Sequence, residues 1–430
     1  MTKENIMSIF VRFLAIIFMK CIFVKILFII FLTFIHLNLI SQVKISIKVE
    51  NIDDNVFYLL KYKSDKSHIV IDTSTSSSDY KTFTNDVNYD EGIYILSDNN
   101  FNPLFEILLG KDQKFSMHVE ELMEPNSYKV KSCEETSAYF DIFSKTTHNK
   151  LYIKALESEM EYFPDNARKI DSIKRELHEY QESMLRKDKS SFLNTYIKFI
   201  EESTINNYFD NLPLCDTRIL NSRLLKNKLD VYFNNYMANQ NADVVCKNID
   251  ELILKTNDCH EVRDYTLWHL YSRYFNNDLI YIHLSDNYFS RLEINNLTQN
   301  IRNEIIKRAD ILRNITIGSI PPIFSYTDEN GEQINLSDID SKNTILFFYK
   351  PDCQKCIRDK RILGMLKKKI SDLTILEINI SEDNYNNVSH DIIEKYDIMT
   401  TPTIYLLNEN KEIIAKHIKS EEVEFHINKR

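Results

Sequence analysis

The sequence predicts a multidomain fold: a C-terminal α/β domain preceded by an all-α helical domain and a small N-terminal antiparallel β domain. Three observations carry that reading. A chain of 430 residues exceeds what a single hydrophobic core organises. Its apolar spacing changes twice, from alternation to a helical period near residue 130, and then to mixed strand and helix near 315. Only 5 glycines and 8 prolines punctuate it, which excludes collagen-like, linker-like and Pro-rich disordered classes. The expected bounds are 1–41 for a signal peptide, 42–130 for the β domain, 131–314 for the helical domain and 315–430 for the α/β domain.

The N-terminal segment comes first. Residues 26–40, ILFIIFLTFIHLNLI, follow Lys20 and Lys25 and include His36 and Asn38. A helix that crosses hydrocarbon needs about 18 to 20 apolar residues, so this shorter run reads as the h-region of a secretory signal. Small Ser41 places the cleavage near Ser41–Gln42. The competing expectation is an uncleaved anchor, because Ile9–Phe18 is apolar apart from Arg12 and could lengthen the stretch. No cysteine follows the h-region, which disfavours a lipid-anchored protein. Export to the periplasm or cell envelope is therefore expected, with membrane attachment only if the segment stays uncleaved. The chain carries 53 basic and 63 acidic residues, a formal charge of -10. With no basic surplus to neutralise phosphates, nucleic acid is not an expected partner.

In the β region, VKISIKVE (43–50) alternates, and VFYLLKYK (56–63), HIVIDT (68–73), IYILS (93–97), FEILLG (105–110) and KFSMHV (114–119) follow between turn residues. No catalytic constellation appears there. The helical region places Ile170, Ile173, Leu177 and Tyr180 on one face of 167–187, and similar patterns recur at 222–237, 262–275 and 296–315. Tyr265, Trp268, Tyr271, Tyr274 and Phe275 recur at helical spacing, and helix packing explains them more simply than a ligand cleft. These upstream regions are expected to select or orient partners and to perform no chemistry.

The C-terminal pattern is strand and helix in alternation. IFSYTDENGEQINL (323–336) reads as a hairpin turning at Asn330-Gly331. NTILFFYK (343–350) is the continuous apolar run of a strand buried on both faces. A helix from Cys353 to Lys369, a strand at 373–380, a helix near Ser389–Tyr396 and strands at 403–407 and 412–418 complete the order.

Seven cysteines are present: Cys21, Cys133, Cys215, Cys246, Cys259, Cys353 and Cys356. Cys21 leaves with the signal. The pairing of Cys133, Cys215, Cys246 and Cys259 is open, and Cys246 with Cys259-His260 makes a poor zinc signature. Cys353 and Cys356 differ, because a CxxC on the first turn of a helix puts two sulfurs on one side beside N-terminal N–H groups. KPDCQKCIRDKR (350–361) holds five basic residues against two acidic ones, which favours a Cys353 thiolate. Cys356, one turn in, is the natural resolving thiol. Half of a zinc site looks the same, but no second pair follows, so thiol–disulfide chemistry is the expectation and no metal is expected.

With these residues in view, 316–418 resembles the thioredoxin-fold domain of the TlpA/ResA-like extracytoplasmic thiol–disulfide oxidoreductases. Pro321-Pro322, Leu336-Ser337-Asp338, the strand ending at CQKC and Thr401-Pro402-Thr403 carry the resemblance. It implies a cis-proline at Pro402 facing the CxxC, with Thr401 and Pro402 binding the substrate chain through backbone hydrogen bonds. It implies that Asp359 accepts the proton of the resolving thiol. It implies no cofactor, and as partners disulfide-containing envelope proteins and an unidentified electron donor. Segment 206–236 is similar to a helical domain of unknown function found before thioredoxin domains in exported bacterial proteins, and the β region resembles the small N-terminal domain of the same architecture.

Three features depart from that family. Asp352 replaces the aromatic before the first cysteine and opposes a thiolate; the strand Ile345–Tyr349 lacks the buried acid of thioredoxins; and 12 residues after Ile418 leave room for only a short final helix. The alternative to an enzyme is a non-enzymatic envelope binding protein whose CxxC is a structural or redox-sensing disulfide. A peroxiredoxin is disfavoured, since Lys350 stands where a threonine is required.

Overall fold

The computed structural model describes residues 42–52, 54–64, 67–77, 79–122, 124–185, 189–201, 205–328, 331–381 and 390–429. The signal peptide expected at 1–41, Asn330 of the hairpin turn and Ser389 of the following helix lie outside the described residues. The chain divides into two compact units, the first ending at Ala238 and the second spanning Asn239–Arg430. The helices expected between 131 and 314 are therefore shared between them. Among the described residues, no helix is long and apolar enough to cross a membrane.

In the first unit, β1 (Val43–Val49) buries Val43, Ile45, Ile47 and Val49 on one face, as its alternation requires. It is the centre of a five-stranded sheet with β4 (Thr75–Ser77), β5 (Tyr80–Asn85), β8 (Lys114–Val119) and β9 (Tyr128–Lys131), in the order β4-β5-β1-β8-β9. A second sheet has the order β3-β2-β6-β7, from β2 (Tyr58–Ser64), β3 (Ser67–Thr73), β6 (Gly92–Ser97) and β7 (Pro103–Leu109). Pairing is antiparallel as expected, except that β1 and β8 run parallel with Ile45 opposite Phe115. β5 already occupies one side of β1 when the chain, after β6 and β7 of the second sheet, returns to β1's other side as β8, a connection long enough for parallel pairing. Helix α1 (Glu134–Ser158) covers β7 and β9: Thr136 Oγ1 donates to the Leu108 carbonyl at 2.9 Å, and Phe140 stacks on Tyr128 at 4.8 Å. α2 (Asn166–Leu185), α3 (Phe192–Ile200) and α4 (Leu224–Asn235) follow, with Ile170 buried on the predicted face of α2.

The second unit begins with α5 (Ala242–Lys255), α6 (His260–Arg273), α7 (Asp278–Leu284) and α8 (Gln299–Arg313). The aromatic stripe of α6 packs as predicted: Trp268 meets Phe289 at 5.1 Å, and Tyr271 meets Phe289 at 5.2 Å and Tyr281 at 5.4 Å. A buried pair, Arg263–Asp264 at 2.8 Å, ties α6 to the segment before α8 through the Glu293 carbonyl and the Asn295 N–H.

The rest of this unit has a four-stranded sheet of order β13-β12-β14-β15, from β12 (Asn343–Tyr349), β13 (Leu373–Asn379), β14 (Thr403–Asn408) and β15 (Ile413–Lys416). β12 runs parallel to β13 and antiparallel to β14, and all of its residues are buried. The predicted hairpin is formed by β10 (Ser325–Thr327) and β11 (Gln333–Asn335), with Tyr326 opposite Ile334 and Gly331 at φ 82°. α9 (Gln354–Lys369), α10 (His390–Lys395) and the short α11 (Val423–Asn428) complete a thioredoxin-like α/β domain. The lead-in from α8 is pinned to β15. Gly318, at φ 91°, donates to the Ile413 carbonyl at 2.8 Å, and Ile413 donates to the Ser319 carbonyl at 2.8 Å.

Phe347 is fully buried in β12 among Ile345, Ile404 and Leu406. Phe347→Ala should lower unfolding stability by about 3–5 kcal/mol, read as a shifted denaturant midpoint in the full-length chain. A loss under about 1 kcal/mol would mean that β12 is not the packed centre of this sheet.

Candidate functional site: the dithiol at the end of strand β12

Strand β12 delivers the chain to the site. All its residues are buried and Ile345–Tyr349 are apolar, so Lys350-Pro351-Asp352 emerges at the end of the strand and turns directly into α9. Cys353 is the N-cap of that helix, with extended backbone (φ -82°, ψ 108°), and its Sγ accepts the Cys356 N–H at 3.1 Å. This is the predicted placement: one otherwise orphaned helix N–H group is spent on the first sulfur, where it supports negative charge. Cys353 and Cys356 are joined as a disulfide with their Cα atoms 5.2 Å apart.

The two sulfurs have unlike surroundings. Cys353 is partly exposed and flanked by exposed Asp352 and Gln354, whereas Cys356 is 1% exposed and packs with Ile345, Phe347, Tyr349, Leu363 and Ile404. An incoming reagent therefore reaches Cys353 first.

The antiparallel register of β12 and β14 brings the third element in. Phe348 pairs with Thr403, so the start of β14 lies beside the end of β12. The residues before it, Thr401-Pro402, form a cis peptide bond, and the Thr401 carbonyl oxygen lies 3.8 Å from Cys353 Sγ. Thr403 Oγ1 donates to the Thr400 carbonyl at 2.7 Å, which holds the base of this loop.

Asp359 is one turn beyond Cys356 and is buried, not a solvated helix charge. Its Oδ1 accepts two hydrogen bonds from Arg358, from Nε at 3.1 Å and Nη2 at 2.9 Å, and Arg358 reaches on to Glu421 at 3.7 Å. Sequence reasoning did not single out Arg358, because adjacent residues on a helix do not ordinarily face each other. It also missed Arg308 and Asp397, which form a buried ion pair at 2.8 Å within the same unit. They stand 89 residues apart and no local pattern links them.

Of the other described cysteines, Cys215 and Cys259 are disulfide-bonded, and two are free. Cys133 is a free, buried thiol at the N-cap of α1, with Sγ 3.3 Å from Thr136 Oγ1. Cys246 is also free; burial, and then Asp250 and Asp243, push its thiol up to about 11, which makes a thiolate ligand or nucleophile scarce at neutral pH. Among the described residues no group of three or more His, Cys, Asp or Glu side chains could hold a metal ion.

The fold and site together define a thioredoxin-like domain with a CxxC at a helix N-terminus. Comparison with known proteins agrees with that class. Residues 325–419 match the family described as TraF, F plasmid transfer operon protein. The thiol-disulfide oxidoreductase ResA of Bacillus subtilis is 25% identical over 118 residues, which are 23% of this chain and 66% of ResA. The chain thus spans just under two thirds of that relative's length. A solved thioredoxin-like protein from Bacteroides caccae is 19% identical, covers 53% of this chain and 91% of its own, and gives a TM-score of 0.45. The thioredoxin domain of a thiol-disulfide oxidoreductase from Bacteroides vulgatus is 20% identical, covering 26% of this chain and 96% of its own at a TM-score of 0.23. The match to ResA gives this chain homology to thioredoxin-like thiol–disulfide oxidoreductases.

The exposure difference has a direct consequence. In the reduced full-length chain, iodoacetamide should modify Cys353 at least about tenfold faster than Cys356 at pH 7, read by peptide mass spectrometry. Equal rates, or Cys356 reacting first, would contradict the assignment of Cys353 as the accessible thiol.

Proposed function

We propose that this chain is an exported thiol–disulfide oxidoreductase that reduces or exchanges disulfides of envelope proteins. The observation that carries the reading is the asymmetry of the dithiol: a helix-capping, accessible Cys353 bonded to a buried Cys356, with the Thr401 carbonyl beside it.

Each step balances. In the dithiol form, the Cys353 thiolate attacks one sulfur of the substrate disulfide, forms a mixed disulfide and expels the other substrate sulfur as thiolate. Cys356 then gives up its proton and attacks Cys353 Sγ. The Cys353–Cys356 disulfide forms, the second substrate sulfur leaves, and two electrons have passed to the substrate. Asp359, buried one turn from Cys356 and held by Arg358, accepts the Cys356 proton. Thr401 and Pro402 line the edge where the substrate backbone lies against Cys353. A thiol electron donor returns the pair to the dithiol. The apolar run at 26–40 supports export by a signal peptide cut near Ser41–Gln42, and a periplasmic or envelope location suits disulfide exchange.

The test is mechanism-based trapping in cells. Cys356→Ser should accumulate mixed disulfides to envelope proteins through Cys353, because no second thiol remains to attack them. Cys353→Ser should trap nothing and turn over nothing, and the purified mature chain should begin at Gln42. Asp359→Asn should slow resolution more than attack, seen as longer-lived mixed disulfides in the variant with both cysteines. No adducts in Cys356→Ser would favour a structural or sensing disulfide in a binding protein, and adducts held through Cys356 would reverse the two roles.

A further inference from the structure

The loop that carries Thr401 to the disulfide begins at Asp397, and Asp397 is held from an unexpected direction. Arg308, on α8, grips its carboxylate with both arms: Nε to Oδ1 at 3.0 Å and Nη2 to Oδ2 at 2.8 Å. The third nitrogen, Nη1, donates to the Phe275 carbonyl at 2.9 Å. The guanidinium also stacks on two rings of the helical segment, 3.8 Å from the centroid of Phe275 and 4.5 Å from that of Tyr281. Both charged side chains are almost fully covered, 11% exposed for Arg308 and 9% for Asp397. Asp397 itself has a left-handed backbone, φ 49°, a conformation that needs support in any residue but glycine.

Two anchors therefore bracket the loop. At one end Arg308 fixes Asp397; at the other, β14 pairs with β12 from Thr403 onward. Thr401 is four positions on from Asp397, a reach of at most about 14 Å, so the position of the first limits that of the second. The Thr401 carbonyl then sits 3.8 Å from Cys353 Sγ. An oxygen lone pair at that distance accepts a hydrogen bond from a Cys353 thiol and repels a Cys353 thiolate.

We infer that Arg308 is a positioning residue for the dithiol: by clamping Asp397 it sets the Thr401 carbonyl against Cys353 and so tunes how readily Cys353 ionises. The inference rests on reading Cys353–Cys356 as the reactive pair. It places part of the site's machinery in the helical region, upstream of the α/β domain.

The experiment compares charge-balanced variants of the full-length chain, so that no buried charge is left unpaired. R308M/D397N removes the clamp; R308K keeps the charge but loses the two-armed grip. R263M/D264N removes a similar buried pair in α6, and serves as the control for a merely structural role. Each is reduced, and Cys353 alkylation by iodoacetamide is followed across pH by peptide mass spectrometry. R308M/D397N should move the Cys353 midpoint down by about half a pH unit, with about threefold faster alkylation at pH 7, R308K should move it less, and the control should leave it unchanged. A midpoint that is unmoved or raised in both clamp variants, or one that moves equally in the control, overturns the inference. Should the double variant fail to fold, R308K alone decides by the same criterion. Because this readout needs no substrate, a chain that traps no partner yet shows the shift would sink the oxidoreductase reading and leave the clamp standing.

Discussion

The site depends on the burial of β12 between a parallel and an antiparallel neighbour. β13 on one side and β14 on the other satisfy its backbone hydrogen bonds, and helices and side chains cover both faces, so the strand has one register and one exit point. That exit fixes where α9 starts, and the start of α9 is where Cys353 becomes a cap. The antiparallel register of β14 does the complementary task, bringing Thr401 and Pro402 to the same edge from the far end of the sequence. Slip either pairing by one residue and every side chain of the strand changes face, separating the sulfur from the carbonyl.

The division of the dithiol into an outer and an inner sulfur follows from helix geometry. Position one caps; position four, a turn further on, faces the sheet and joins its core. Cys356 is therefore a core residue, and Asp359, another turn along the same face, shares its burial. A buried carboxylate needs partners, and Arg358 supplies them from the rim while its own side chain stays 56% exposed. The pairing leaves the Asp359 carboxylate buried yet hydrogen-bonded.

Much of this was legible in the sequence, and the reasons are physical. The apolar run at 345–349 is typical of a strand covered on both faces, and the CxxC after it opens the next helix. The aromatic stripe at Trp268 and Tyr271 read correctly as packing because its spacing is that of a helix face. What did not read were features made by long-range closure. β4 and β5 are short and largely polar, and the alternation of β9 runs for only four residues, so little announces them. The parallel β1–β8 pair depends on a chain return that no local pattern encodes. Arg308 and Asp397 look like ordinary charges until the fold places one over the other. α8 belongs to the same compact unit as the dithiol, and its Arg308 holds Asp397 at the start of the loop that reaches Thr401.

The central claim is that Cys353–Cys356 is a pair that cycles. Equilibrating the full-length chain in glutathione and dithiothreitol buffers of graded potential, and counting the Cys353–Cys356 disulfide by mass spectrometry, tests it most directly. A cycling pair should convert between dithiol and disulfide with a midpoint between roughly -270 and -120 mV, the span of known exchange catalysts. A pair that stays oxidised below about -300 mV would behave as a structural disulfide and would contradict the account.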